Sequence, residues 1–87
     1  MRIEFTQSSR RHKVGRARIR AVLSTPFAVH SLAAGTEHRL LELYVGDDLS
    51  GRALEVIVVR ETDRLVVIHA MDLRPKYRAI YENGRQR

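Results

Sequence analysis

The chain has 87 residues, of which 44 % are apolar and 30 % charged, with a formal net charge of +6. That length and balance describe one globular domain, residues 1–87, with a single modest core and no room for buried multi-cofactor machinery. Cysteine is absent, and the longest apolar runs, Val56–Val59 and Leu65–Ile68, are four residues each, which excludes disulfides, thiolate zinc sites, cysteine nucleophiles and membrane-spanning helices.

Glu4, Arg10 and Arg11 stand where a signal peptide needs an apolar stretch, so a cytoplasmic protein is expected. Residues 2–6 alternate polar and apolar, which predicts a short strand. Residues 7–13 are polar and have room for one or two helical turns. A second helix is predicted over residues 16–24. Its stripe is Ile19, Val22 and Leu23, its N-cap is Gly15, and Val14 stands ready to staple against Ile19. Thr25-Pro26 ends it, because a residue before proline disfavours the helical region.

Residues 27–71 read as sheet. A strand over 27–32 is followed by the turn Ala33-Ala34-Gly35-Thr36. Over 38–46, Arg39, Leu41, Leu43 and Val45 point one way, and His38, Leu40, Glu42 and Tyr44 the other. Asp47–Gly51 turns the chain into 53–60, where Leu54, Val56 and Val58 oppose Glu55, Ile57 and Val59. Glu61-Thr62-Asp63 turns again into 64–71, where alternation places His69 with Leu65, Val67 and Met71. These last two strands are apolar on both faces and belong in the middle of the sheet. Short turns predict antiparallel pairing. Asp72 is the expected cap of a closing helix, with Pro75 in its first turn and Gly84 at its stop. The expected fold is α+β: a twisted antiparallel sheet of four to five strands, with two N-terminal helices and one C-terminal helix.

Charge is unevenly distributed. Residues 1–20 carry seven basic groups against one acid, residues 21–73 four against eight, and residues 74–87 five against one. If the two basic ends meet, they form a cationic surface whose natural partner is a polyanion. Arginine outnumbers lysine fourteen to two, a bias that a GC-rich genome also produces.

His12, His30, His38 and His69 show no metal-ligand spacing, and no phosphate loop, serine elbow or dinucleotide fingerprint is present. Neither metal nor cofactor is expected. RNA cleavage by side chains alone needs a base for the 2′-hydroxyl, an acid for the leaving oxygen and cations for the phosphate. His69, near the end of its strand, is the leading base or acid. The plain structural alternative is a half-buried histidine bonded to a backbone carbonyl. Arg74 and Arg78 share a helical face beside Tyr77, although Tyr77, Ile80 and Tyr81 also fit a packing stripe.

Two segments resemble the BrnT-type toxins, small bacterial ribonucleases of the RelE superfamily that are encoded beside an antitoxin. Arg11-His12-Lys13-Val14-Gly15 through Val22-Leu23-Ser24-Thr25-Pro26 is similar to their Lys-His-Gly-Val segment, amphipathic helix and Val-Phe-x-x-Pro end. Arg64 through Glu82 resembles their Arg-Ile-Ile-Ser-Ala-Arg strand and the basic helix with Tyr-Glu that follows. Lys13 stands where the family often has glycine, His69 replaces its serine and Met71 its arginine. Arg78, Tyr81 and Glu82 match, and Arg74 could substitute for the missing arginine.

The resemblance implies a type II toxin-like, metal-independent mRNA endoribonuclease with a cognate antitoxin as partner. His69, Tyr77 and His12 would be its catalytic groups. Lys13, Arg16, Arg52, Arg74, Lys76 and Arg78 would hold RNA phosphates. The alternative is a non-catalytic module on the same fold that binds nucleic acid or protein.

Overall fold

Two strands with apolar side chains on both faces need a neighbour on each edge and a layer on each side. The computed structural model, which describes residues 2–32 and 40–86, gives them both. The strands are β1 (Arg2–Phe5), β2 (Ala28–Leu32), β3 (Leu40–Asp47), β4 (Ala53–Arg60) and β5 (Arg64–Asp72), with α1 (Arg16–Ser24) and α2 (Arg78–Arg85). The sheet order is β1-β5-β4-β3-β2. The predicted turn at 33–36, with His38 and Arg39, lies outside the described residues.

Two expectations about the architecture are corrected. The sheet is mixed, because β1 runs parallel to β5, with Arg2 opposite Arg64 and Phe5 opposite Val67. Short turns dictate direction only for strands that they join, as in β3–β4 and β4–β5. β1 meets its partner some sixty residues later, after α1 and three strands, so no turn constrains it.

Among the described residues there are also two α-helices, not three. Ser8–Arg10 forms only a single 3-10 turn. Its hydroxyls bond the backbone instead of continuing a helix: Ser9 Oγ donates to Thr6 O at 2.6 Å, and Ser8 Oγ to Ile68 O at 2.9 Å. Thr6 Oγ1 donates to Val67 O at 2.8 Å, so the segment is fastened along β5 beyond the end of β1.

α1 covers one face of the sheet. Val14, Ile19 and Val22 are buried there with Tyr44, Leu54, Val56, Val58, Leu65, Val67 and Ala70, and Leu23 packs against them. Gly15 caps the helix in extended geometry. The opposite face holds Leu43, Val45 and Tyr81, packed with Phe27, Ile57, Tyr77 and Ile80. Tyr81 donates its hydroxyl to Asp47 Oδ1, tying α2 to the end of β3.

The C-terminal segment departs from expectation at both ends. Asp72 is the last residue of β5 rather than a cap, and a 3-10 turn at Pro75–Tyr77 precedes α2. Gly84 does not stop the helix but lies inside it. The helix crosses the start of β2 so closely that a Cβ on Gly84 would strike the Phe27 carbonyl group and meet the Ala28 Cβ at 3.0 Å.

One irregularity decides which way the end of β5 faces. Ile57 pairs with His69, but Val58 pairs with Val67, so Ile68 is an extra, bulged residue. A bulge reverses the alternation beyond it. Leu65 and Val67 face α1, whereas His69 and Met71 lie opposite Ile57 and Glu55 on the α2 face. The expectation that His69 shares a face with Leu65 and Val67 is therefore corrected.

Gly84→Ala should improve intrinsic helix propensity by about 1 kcal/mol. The clash with a backbone carbonyl should outweigh that gain, for a net loss of ~1–2 kcal/mol. Urea denaturation checks this; an unchanged or raised midpoint would contradict the close crossing.

Candidate functional site

β4 places Glu55 on the α2 face of the sheet, between residues that should be apolar, and buries it completely. A carboxylate there is costly unless it is paired and hydrogen-bonded. Its partners come from β5 and the chain just after it. Arg74 donates its backbone N–H to Oε1 at 2.8 Å, and Nε and Nη2 to Oε2 at 2.9 and 2.6 Å. His69 Nε2 lies 2.9 Å from the same Oε2. Burial pushes the Glu55 pKa up, but the Arg74 guanidinium, its backbone N–H and the His69 contact outweigh it, and the net shift is downward. Glu55 is therefore ionised at neutral pH.

That ionisation assigns the His69 ring. An ionised carboxylate only accepts hydrogen bonds, so Nε2 must donate. In the neutral ring the proton is on Nε2 and Nδ1 is the free basic atom. The His69 side chain is 23 % exposed, accessible yet held. The bulge at Ile68 makes the contact possible, since regular alternation would send the ring to the α1 face.

His12 comes to the same place from the other end of the chain. Its ring centroid is 5.7 Å from that of His69, edge-on at 77°. It follows the 3-10 turn fastened to β5 and precedes Lys13, whose φ of 57° lies in the left-handed region. Beside it opens a cleft of about 310 Å³ lined by His12, Val14, Arg18, Arg52, Met71 and Asp72.

The sequence-predicted residues divide around this centre. His12 and His69 are brought together. Arg74 is present, but its guanidinium is engaged by Glu55, so it positions the site instead of standing ready for phosphate. Tyr77 packs in the α2-side core, with the cations of Arg74 and Lys76 at 5.5 and 5.0 Å from its ring centre. It serves as a stacking surface. Arg52 pairs with Asp72 at 2.8 Å across the cleft. Arg78 pairs loosely with Glu82 on α2. Lys13 is exposed next to His12. Arg16 belongs to a different patch, where it and Arg20 lie over the Phe5 ring at 5.1 and 5.3 Å.

Sequence reasoning missed Glu55 and Arg18. Glu55 did leave a signal: an acid between Leu54 and Val56 in a strand apolar on both faces must be paired wherever it lands. Arg18 gave none, since its role depends on the buried Asp48. Asp48 accepts Arg18 Nε at 2.7 Å, Ser50 N and Oγ at 2.8 and 2.7 Å, and Arg52 N at 3.0 Å. Those donors, Arg18 first, hold its pKa well below the usual carboxylate range.

No family model, curated protein or solved structure matches the chain. Among the described residues no helix is long and apolar enough to cross a membrane. Nor do three or more His, Asp or Glu side chains gather among them to hold a metal ion.

Arg74→Ala should cost about 2–3 kcal/mol, below the roughly 3–5 of a fully enclosed pair, because Arg74 is partly solvated. Glu55 has a folded-state pKa below its unfolded value. Its contribution is complete above the ordinary glutamate range and is lost as pH falls through the folded value. Urea midpoints measured from about pH 7 to about pH 3 should fall more steeply for wild type than for Glu55→Gln. Parallel profiles would mean that Glu55 is not the titrating anchor.

Proposed function

We propose that the chain is a toxin-like endoribonuclease that cleaves RNA with its own side chains, and that a cognate antitoxin covers its basic surface in the cytoplasm. The observation that carries this reading is the His69 ring, held at Nε2 by a buried carboxylate and facing a second imidazole, His12. An oriented base beside an independent acid is what phosphodiester transesterification requires. His69 Nδ1 takes the proton of a 2′-hydroxyl while the 2′ oxygen bonds to phosphorus. The bond from phosphorus to the 5′ oxygen breaks, and a protonated His12 gives its proton to that leaving oxygen. The products are a 2′,3′-cyclic phosphate and a 5′-hydroxyl.

Of the three catalytic groups expected from the resemblance, Tyr77 takes no part in this step, because it is packed in the core under two cations. The N-terminal segment supplies the RNA-binding charge: Arg10, Arg11, Lys13, Arg16 and Arg20 have no carboxylate partner among the described residues. The resemblance to BrnT-type toxins gains support at Lys13, where the family often has glycine and the backbone adopts the left-handed conformation that glycine favours.

One observation favours the non-catalytic alternative. Arg74, the only arginine among the described residues that touches the His69 partner, is consumed by Glu55, and its cationic charge is largely cancelled. A nucleic-acid-binding module would need the basic N-terminal face and no more.

Expression of the chain should arrest growth and fragment RNA, and His69→Ala should relieve both. In purified protein that change should lower the rate by on the order of 10²–10⁴ while leaving RNA affinity within a few-fold. Binding should weaken with salt with a log–log slope of roughly −3 to −5, for about four to six neutralised phosphates on a single strand. Tight, salt-sensitive RNA binding without any cleavage would transfer the conclusion to the binding module.

A further inference from the structure

Beside the histidine pair, the cleft between α1 and the ends of β4 and β5 contains a donor without an acceptor. Arg18 is fixed from behind, because its Nε is bonded to the buried Asp48, itself held by Ser50 and the Arg52 backbone. Its Nη2 is buried and makes no hydrogen bond among the described residues. Asp72 Oδ1 lies 3.8 Å from it, too far to accept. The other Asp72 oxygen accepts from Arg52 Nη2 at 2.8 Å. One small carboxylate thus stands between two guanidinium groups and satisfies only one. His12 lines the same cleft.

We infer that this cleft is a phosphate subsite, in which a phosphate group of the RNA strand bridges Arg18 and Arg52, beside His12, after displacing Asp72. The inference rests on the RNA reading above and deepens it, because it names where a phosphate next to the reacting one is held. A phosphate carries more oxygens than a carboxylate, in tetrahedral array, and can reach both guanidiniums together. The displacement is cheap. Asp72 and Arg52 are 59 and 62 % exposed, and such surface pairs contribute little to stability. The cleft of about 310 Å³ is at the lower end of the roughly 300–1,000 Å³ of small-molecule sites. Arg18 is the fixed wall and Arg52 the exposed one. Asp72 is an internal competitor that keeps the cleft neutral until a stronger anion arrives.

The competitor makes the inference testable without any cleavage assay. Inorganic phosphate is titrated into the full-length chain and followed by amide and imidazole NMR shifts. Saturable shifts should concentrate at His12, Arg18, Arg52 and Asp72. Asp72→Asn should tighten phosphate binding about three- to tenfold, whereas Asp63→Asn, an acid outside the cleft, should leave it within twofold. Arg52→Gln should weaken it about fivefold or more; this exposed variant keeps the test open if Arg18→Gln fails to fold.

A short oligoribonucleotide should compete with inorganic phosphate for the same shifts. Phosphate occupancy that the oligoribonucleotide does not disturb would overturn the assignment to RNA. Non-saturable shifts spread over Arg10, Arg11, Lys13, Arg16 and Arg20, with Asp72→Asn indistinguishable from Asp63→Asn, would overturn the site itself. Asp72-dependent binding with RNA competition, in a chain that never cuts RNA, would support the subsite while defeating the catalytic reading.

Discussion

A glutamate buried to the last atom in the second strand of a hairpin has one way to remain tolerable: enough donors must converge on it to replace water. Glu55 draws three N–H groups from Arg74 and one from His69. Because three of those donors belong to one residue just past β5, the carboxylate fixes where the chain goes after the sheet ends. Because the fourth belongs to an imidazole, it also fixes that ring's protonated nitrogen and leaves the other one free. The stability of this corner and the chemistry available to it come from one ionised group.

The same logic explains what happens to the charge. The sequence carries basic ends around an acidic middle, and the fold brings part of that acid onto the basic groups. Glu55 takes Arg74, Asp48 takes Arg18, Asp72 takes Arg52 and Glu42 takes Arg60. The C-terminal positive charge is thereby partly internalised. Among the described residues the basic groups between Arg10 and Arg20 keep theirs, apart from Arg18, and two of them lie over Phe5. Among the described residues the basic groups without a carboxylate partner are therefore mostly N-terminal, and His12 lies among them in sequence.

The middle of the sheet could be read because Val56–Val59 and Leu65–Ile68 are apolar on both faces, which leaves few places for them in an 87-residue chain. The α1 stripe of Ile19, Val22 and Leu23 was legible for the corresponding reason at a helical period. The orientation of β1 was not, since its pairing with β5 is a long-range choice that leaves no local trace. Nor was the bulge at Ile68, because nothing in an unbroken apolar run marks which residue will be the extra one. That single residue decided the candidate site. It turned His69 away from Leu65 and Val67 and toward Glu55, so the histidine could be singled out from the sequence while its partner could not.

The central claim is that Glu55 is ionised and holds His69 through Nε2. A long-range proton–nitrogen correlation spectrum of the His69 ring, recorded above neutral pH, tests it most directly. The account predicts a neutral ring protonated on Nε2 in wild type, and loss of that fixed tautomer in Glu55→Gln. A wild-type ring protonated on Nδ1, with Nε2 free, would contradict it.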